Sequence, residues 1–248
     1  MKKIVLFITG CLFLTIGFAQ DSAFVPIAAA ANPAPFKLNN RPADHFMIQL
    51  SSDHWTGMPD SISSHQQGFS RGFNAYFMLD KVFRNSPKFS IGLGAGISTS
   101  NMTFKKMDVN LNAGGSLLPF TALDSTDHFK KYKLTTAYLE VPLEFRYTAK
   151  PDQVNKSFKA ALGLKAGTLI NAHTKGKNLE DKNNNVINSY TAKENSKRFI
   201  NSTRISATAR VGYGIFSLFG SLQLTNLLKD GAGADMKLYQ IGLTLSGL

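Results

Sequence analysis

The chain has 248 residues, is 43% hydrophobic, holds 19 Phe beside a single Trp, and carries a formal net charge of +12. That length allows one all-β domain or two small ones, and an aromatic set dominated by Phe leans toward strands. After the N-terminal segment no run of about 18 apolar residues occurs, which excludes a helical membrane protein but not a barrel, whose alternating strands average out in hydropathy.

Residues 1–19 read as a signal peptide. Lys2 and Lys3 form a charged start, Ile4 to Phe18 an apolar stretch, and Gly17-Phe18-Ala19 a small-residue site for cleavage before Gln20. Cys11 in Ile8-Thr9-Gly10-Cys11 looks like a lipoprotein box, but too short an apolar run precedes it. Ordinary cleavage therefore leaves a chain without cysteine and without disulfide or thiol chemistry. The Lys and Arg residues are spread along the chain and the chain is exported, so nucleic acid is not the expected partner. Residues 20–43, with Pro26, Pro33 and Pro35, read as a periplasmic leader, and residues 44–248 as a barrel.

A first strand is expected from about His45 to His54, with Phe46, Ile48 and Leu50 on one face and Met47, Gln49, Ser51 and Asp53 on the other. The second, about Phe69 to Lys81, sets Phe73, Ala75, Phe77 and Leu79 against Gly72, Asn74, Tyr76 and Asp80. The third, about Phe89 to Phe104, alternates Phe89, Ile91, Leu93, Ala95 and Ile97 with Ser90, Gly92, Gly94, Gly96 and Ser98. Lys105 to Lys131 reads as irregular. Tyr132 to Thr148 then holds period-2 alternation for more than a dozen residues, with Leu139, Val141, Leu143 and Phe145 opposite Glu140, Glu144 and Arg146. Pro142 withholds a ladder donor in this strand, so a local bulge is expected there.

The fifth strand, about Phe158 to His173, places Leu162, Leu164, Ala166 and Ile170 opposite Lys165, Gly167, Asn171 and His173, and Thr174 to Arg198 reads as a polar loop. Strands follow at about Thr203–Tyr213, after a tight turn at Gly214-Ile215 through Thr225, and at Lys237–Leu248. Eight strands result, and their links alternate between long polar loops and short turns. The expected fold is an all-β, eight-stranded antiparallel up-and-down transmembrane barrel in the cell outer membrane, with outer-membrane lipid and lipopolysaccharide as its surroundings and other envelope proteins as further partners.

Magnitude sets the register. A basic side chain facing lipid at mid-membrane costs roughly 2–4 kcal/mol, so Glu140, Glu144, Arg146, Lys165, Arg204 and Arg210 must face the lumen. Charges confined there have to pair, and Glu140 and Glu144 are expected to bridge to some of the four cations.

Other motifs carry less. Gly92-Leu93-Gly94-Ala95-Gly96 lacks dinucleotide-loop spacing and a following helix, so inward glycines in a narrow barrel explain it. Asp181-Lys182-Asn183-Asn184-Asn185 begins like a calcium loop but has Val186 where glycine belongs. The five histidines show no metal-ligand spacing. His54 with Asp53 and His173 with Asn171 sit near the expected rim, read as polar rim residues in preference to a hydrolase site. Asp21-Ser22-Ala23, Asp60-Ser61-Ile62 and Asp124-Ser125-Thr126 match a three-residue O-glycosylation pattern. The expectation is a protein with no enzymatic activity, cofactor or metal.

Tyr138-Leu-Glu-Val-Pro-Leu143, Phe145-Arg146-Tyr147, Ala161-Leu-Gly-Leu-Lys-Ala-Gly167, Arg210-Val-Gly-Tyr-Gly214 and Tyr239-Gln-Ile-Gly-Leu-Thr-Leu245 resemble the PorT-like outer-membrane barrels of Bacteroidetes. The resemblance implies an eight-stranded outer-membrane barrel in a group that includes a type IX secretion component. The expected role is structural, adhesive or accessory to secretion; a narrow anion-binding or transport barrel and a rim-sited hydrolase are the alternatives.

Overall fold

The computed structural model describes residues 46–246. The signal peptide, the leader, His45, and Gly247 and Leu248 lie outside the described residues. In chain order the elements are β1 (Phe46–Thr56), the one-turn helix α1 (Asp60–Ser63), β2 (Arg71–Phe83), β3 (Ser86–Phe104), β4 (Met107–Val109), β5 (Phe120–Ala122), β6 (His128–Thr148), a 3-10 segment (Pro151–Lys156), β7 (Phe158–Glu180), β8 (Val186–Asn195), β9 (Thr203–Tyr213), β10 (Phe216–Gln223) and β11 (Lys237–Ser246).

Eight of these strands close into an antiparallel barrel in the order β1-β2-β3-β6-β7-β9-β10-β11, with β11 pairing back onto β1. Each barrel strand pairs with its nearest barrel neighbours in the chain, the up-and-down arrangement, and closure leaves no open edge. The short links β2–β3, β6–β7 and β9–β10 gather at one end, here the turn end. The longer links gather at the other, the loop end. The β9–β10 link is tightest: Gly214 takes φ +62, a left-handed conformation that glycine adopts without penalty, and its N–H donates to the Ser157 carbonyl at 3.0 Å.

The alternation in β6 decides which face is which. Leu139, Val141, Leu143 and Phe145 are 48–49% exposed on the outside, while Glu140, Glu144 and Arg146 are 0%, 2% and 5% exposed inside. Aromatic side chains ring the outside at the turn end. Phe83 and Phe89 pack on Phe145, Phe89 also meets Tyr147 at 5.3 Å, and Phe46 meets Phe77 at 5.6 Å. Phe158, Tyr213 and Phe216 complete this girdle, all well exposed. A girdle of aromatic rings at one border of an apolar belt, with Tyr147 and Tyr213 adding hydroxyl groups, matches the interface of a bilayer.

The structure corrects several expectations. At Pro142 there is no bulge: the β3–β6 ladder omits Gly94 and Ala95 opposite Val141 and Pro142, then resumes in the same register with Gly96 opposite Glu140. The bulge lies instead on β7, where the pairing jumps from Tyr138–Leu169 to Ala137–Asn171. The extra residue, Ile170, reverses side-chain parity. Below it the even residues Leu162 and Leu164 face out; above it Ala172 and Thr174 are buried while Asn171, Lys175 and Lys177 are exposed. Asn171 and His173, expected in the lumen, are therefore outside.

Thr174 to Arg198 is largely ordered rather than a loop. β7 continues to Glu180 and pairs with β8, so β6, β7 and β8 project beyond the barrel rim as a three-stranded sheet. Within 105–127, β4 and β5 form a separate small hairpin.

Candidate functional site

The lumen is the place where this chain collects its buried chemistry, and it is built in layers. Nearest the loop end lies an apolar cap. Met107, Val109, Leu111 and Leu118 come from the β3–β6 link, Phe199 and Ile200 from the segment before β9, and Leu227, Leu228 and Met236 from the β10–β11 link. They pack on Trp55, Phe104, Tyr132, Leu134 and Tyr138 of the barrel wall. The Tyr132 hydroxyl donates to Asp108 Oδ1 at 3.0 Å and accepts the Val109 N–H at 3.0 Å, which ties the β4 hairpin to β6. Nothing in the periodicity of the loops announced this cap. The only signal was the apolar residues scattered through segments that otherwise read as polar.

Below the cap is a layer centred on Glu140. Its Oε1 accepts from Arg204 Nε at 2.9 Å and lies 2.7 Å from Arg204 Nη2; its Oε2 accepts the Tyr76 hydroxyl at 2.5 Å. Arg204 also donates to Ser98 Oγ at 2.6 Å and lies 4.0 Å over the Tyr138 ring. Ser98 passes the network to Asn74, Asn74 to Gln49 and Gln49 to Thr244, so the layer spans the lumen from β9 and β6 round to β11. Lys165 is buried in the same region with its ammonium 5.9 Å from the Tyr76 ring centroid, but it makes no direct ion pair with Glu140 or Glu144.

A second charged layer lies toward the turn end. Glu144 Oε2 accepts from Arg146 Nε and from Arg210 Nη2, both at 2.9 Å, and Asp80 Oδ1 stands 3.7 Å from Arg146 Nη1. Arg210 Nη1 donates to Ser246 Oγ at 3.0 Å. Glycine makes room for these side chains. A Cβ on Gly92 would stand 2.6 Å from Arg146 Nε, and one on Gly96 would strike the Ala75 carbonyl oxygen and the Tyr76 ring. The glycine run in β3 is thus the complement of Arg146 and Tyr76 on the two neighbouring strands, not a phosphate loop.

The structure thus brings five of the six expected lumen charges into two hydrogen-bonded clusters and leaves Lys165 beside them. Sequence reading missed Asp80, Tyr76 and Ser98 as members. It also missed Asp53, whose Oδ1 accepts from Ser51 and from Gln240. A fully desolvated arginine–carboxylate pair holds its geometry because each charge, left alone in this space, would be costly.

Of the two rim pairs, one separates and one stays together. Asp53 points inward and His54 outward, where its ring stacks on Tyr239 at 5.1 Å, so the two cannot act on one substrate atom. His173 Nδ1 lies 2.7 Å from Asn171 Oδ1 on the outer face. Asp181 folds its own turn: Oδ1 accepts the N–H groups of Asn183 and Asn185, both at 2.8 Å, and these bonds hold its carboxyl below the usual carboxylate range. Asp60-Ser61 sits on α1 and Asp124-Ser125 in the β5–β6 link, both exposed.

A closed barrel with an apolar exterior, an aromatic girdle and a charged interior has the build of a membrane-crossing barrel, and comparison with known families agrees. Residues 42–228 match the outer membrane protein beta-barrel domain. The chain belongs to that family. No curated protein matches the chain. Membership places this outer-membrane barrel domain in a membrane, with Leu139, Val141, Leu143 and Phe145 against lipid and the two charge clusters out of its reach.

Proposed function

We propose that this barrel domain is a non-conducting, non-enzymatic scaffold of the cell outer membrane. Residues 1–19 direct export, and the loop end faces outward as a structural, adhesive or secretion-accessory surface. One observation supports it above others: the lumen is filled twice over, by buried arginine–carboxylate clusters and by loops packed into an apolar cap. A barrel of about eight strands has an interior just wide enough for its own side chains. Here the loops have been spent on sealing that interior, which is what a scaffold needs and a pore does not.

The resemblance of Tyr138–Leu143 and Ala161–Gly167 to the PorT-like barrels of Bacteroidetes favours an accessory role in the envelope, working with other envelope proteins. Planar-bilayer recording tests the reading. The full chain, reconstituted, should give no steady single-channel steps; steady anion-selective steps carried past Lys165, Arg204 and Arg210 would overturn it. Hydrolysis of lipid or peptide substrates by the pure protein, abolished on replacing His173, would overturn the non-enzymatic part.

A further inference from the structure

The β7 bulge at Ile170 has a chemical consequence on the outside of the barrel. It brings Asn171, His173, Lys175 and Lys177 onto the same face as Thr135, Lys133 and Lys131 of β6. The ladders then align them in rows. Lys133 lies opposite Lys175, and Lys175 opposite Lys193 of β8; Lys131 lies opposite Lys177. In the row nearer the apolar belt, Arg71 faces Asn101, Asn101 faces Thr135, and Thr135 faces His173. Like charges directly opposite on a sheet are unfavourable, yet three adjacent strands repeat the arrangement, and no carboxylate occupies these rows. The nearest acids lie elsewhere: Glu194 follows Lys193 but sits opposite Thr174 on the other face of the sheet, and Glu180 is buried and pairs with Lys130 at 3.2 Å.

Arg71, Lys131, Lys133, Lys175 and Lys177 line a groove, and Lys193 and His173 lie beside it in the same ladder rows. Residues 67–69, held beside the end of β3 by the hydrogen bond from the Gln67 N–H to the Thr103 carbonyl, border this open groove of about 660 Å³, which Phe69 also lines. Arg71 lies 5.6 Å over the Phe69 ring, and Phe69 is exposed. Lys133 Nζ donates to Asn101 Oδ1 at 2.6 Å, which fixes one ammonium at the groove floor. Burial first, then Lys175, pushes the Lys133 ammonium below its ordinary range; burial, Lys193, Lys133 and Lys175 do the same to His173. In both cases burial is the larger cause, and the neighbouring ammonium groups add to it.

Height decides what meets it. From Tyr147 to Ala137, at about 3.4 Å per residue and a tilt of about 40°, the outer face of β6 rises about 26 Å, the thickness of a barrel's apolar band. Lys133 then stands about 10 Å above that band, at the level of lipid headgroups. Five lysines, an arginine and a histidine beside an exposed phenylalanine, at that height, fit an amphiphile with more than one phosphate. We propose that this face binds the phosphorylated headgroup of an outer-leaflet glycolipid, with Lys133, Lys175 and Lys193 as its principal cationic contacts. The inference rests on the outward orientation proposed for the loop end.

Native mass spectrometry of the full chain in detergent tests it without reference to orientation. Bis-phosphorylated lipid A should form a persistent adduct, displaced by excess inorganic phosphate, and dephosphorylated lipid A should not. The Lys133→Gln/Lys175→Gln/Lys193→Gln variant should bind roughly 100-fold more weakly. The corresponding Lys→Arg triple should retain binding, as should a turn-end control, Lys81→Gln/Lys88→Gln/Lys150→Gln. Heat-modifiable migration verifies that each variant is folded. Equal adducts with the dephosphorylated lipid, or equal loss in the turn-end control, would overturn the proposal. Surface labelling of an Asn184→Cys variant in intact cells probes the orientation alone: a label that fails to react removes the outward reading while leaving the micelle result to stand or fall by itself.

Discussion

Glu140→Ala is the most informative single change. Glu140 is fully buried and takes two nitrogens of Arg204 and the Tyr76 hydroxyl. Its removal leaves the Arg204 guanidinium buried without its ion-pair partner, hydrogen-bonded to Ser98 and stacked over the Tyr138 ring. Breaking a buried pair by deleting one partner costs about 3–5 kcal/mol. For a domain of this size each kcal/mol is worth about 2–4 °C, so the melting temperature in detergent should fall by about 6–20 °C. The reciprocal test separates pairing from cavity formation. In Glu140→Leu/Arg204→Leu both charges are gone and the volume is largely kept, so most of the lost stability should return, because buried pairs exchanged whole for apolar residues are often neutral. Circular dichroism at a strand wavelength, read against temperature in one detergent, supplies both numbers. A melting point unchanged in Glu140→Ala, or a double variant less stable than the single one, would refute the account of the lumen given above.

Three further outcomes follow from the same geometry. Gly92→Ala should push the Arg146 side chain off Glu144 and destabilise the barrel by about 1–3 kcal/mol in the same melt; a neutral result would mean the arginine has room that the 2.6 Å approach denies it. Gly214→Ala meets both a φ of +62 and the Asn155 carbonyl oxygen 2.7 Å from the new methyl. It should cost at least about 1 kcal/mol and slow refolding into vesicles, whereas Gly114→Ala, in open space, should do neither. His173 should titrate below its ordinary 6.5, and replacing Lys193 by Gln should raise the value. The sign follows from linkage: with the folded value depressed, the unfolded chain takes up the proton first, so the contribution is complete above 6.5 and is lost as pH falls toward the folded value. Ring-proton NMR reads the titration directly; a value above 6.5, or one lowered in the variant, would contradict the positive groove.

The alternation of Leu139, Val141, Leu143 and Phe145 with Glu140, Glu144 and Arg146 was enough to name the strand, its lipid face and its lumen face. The cost of a lipid-facing charge allows one register only, and the same logic applied to the other strands yields the closed barrel. That information is local and periodic, so it is legible along a single chain. The partners of each charge are not. Arg204 stands 64 residues from Glu140, and Arg210 stands 66 from Glu144. Which of four cations meets which acid depends on strand stagger, and stagger depends on where a bulge falls. Pro142 advertised a bulge that the ladder avoids by skipping two positions, while Ile170 makes one that no residue type announces.

That single inserted residue shows the division most clearly. Read as a continuous strand, Phe158 to His173 places His173 in the lumen and leaves the lysines beyond it in a loop. With the bulge, the parity of β7 reverses, and His173, Lys175 and Lys177 join Lys133 and Lys131 on the outside. Composition and period determined that this chain crosses a membrane as a barrel. Only the tertiary pairing decided that its loops fold back to cap the lumen and that its lysines gather on one face, because side-chain direction in a sheet is set by the cumulative count of residues between hydrogen-bonded partners, a quantity no short window of sequence contains.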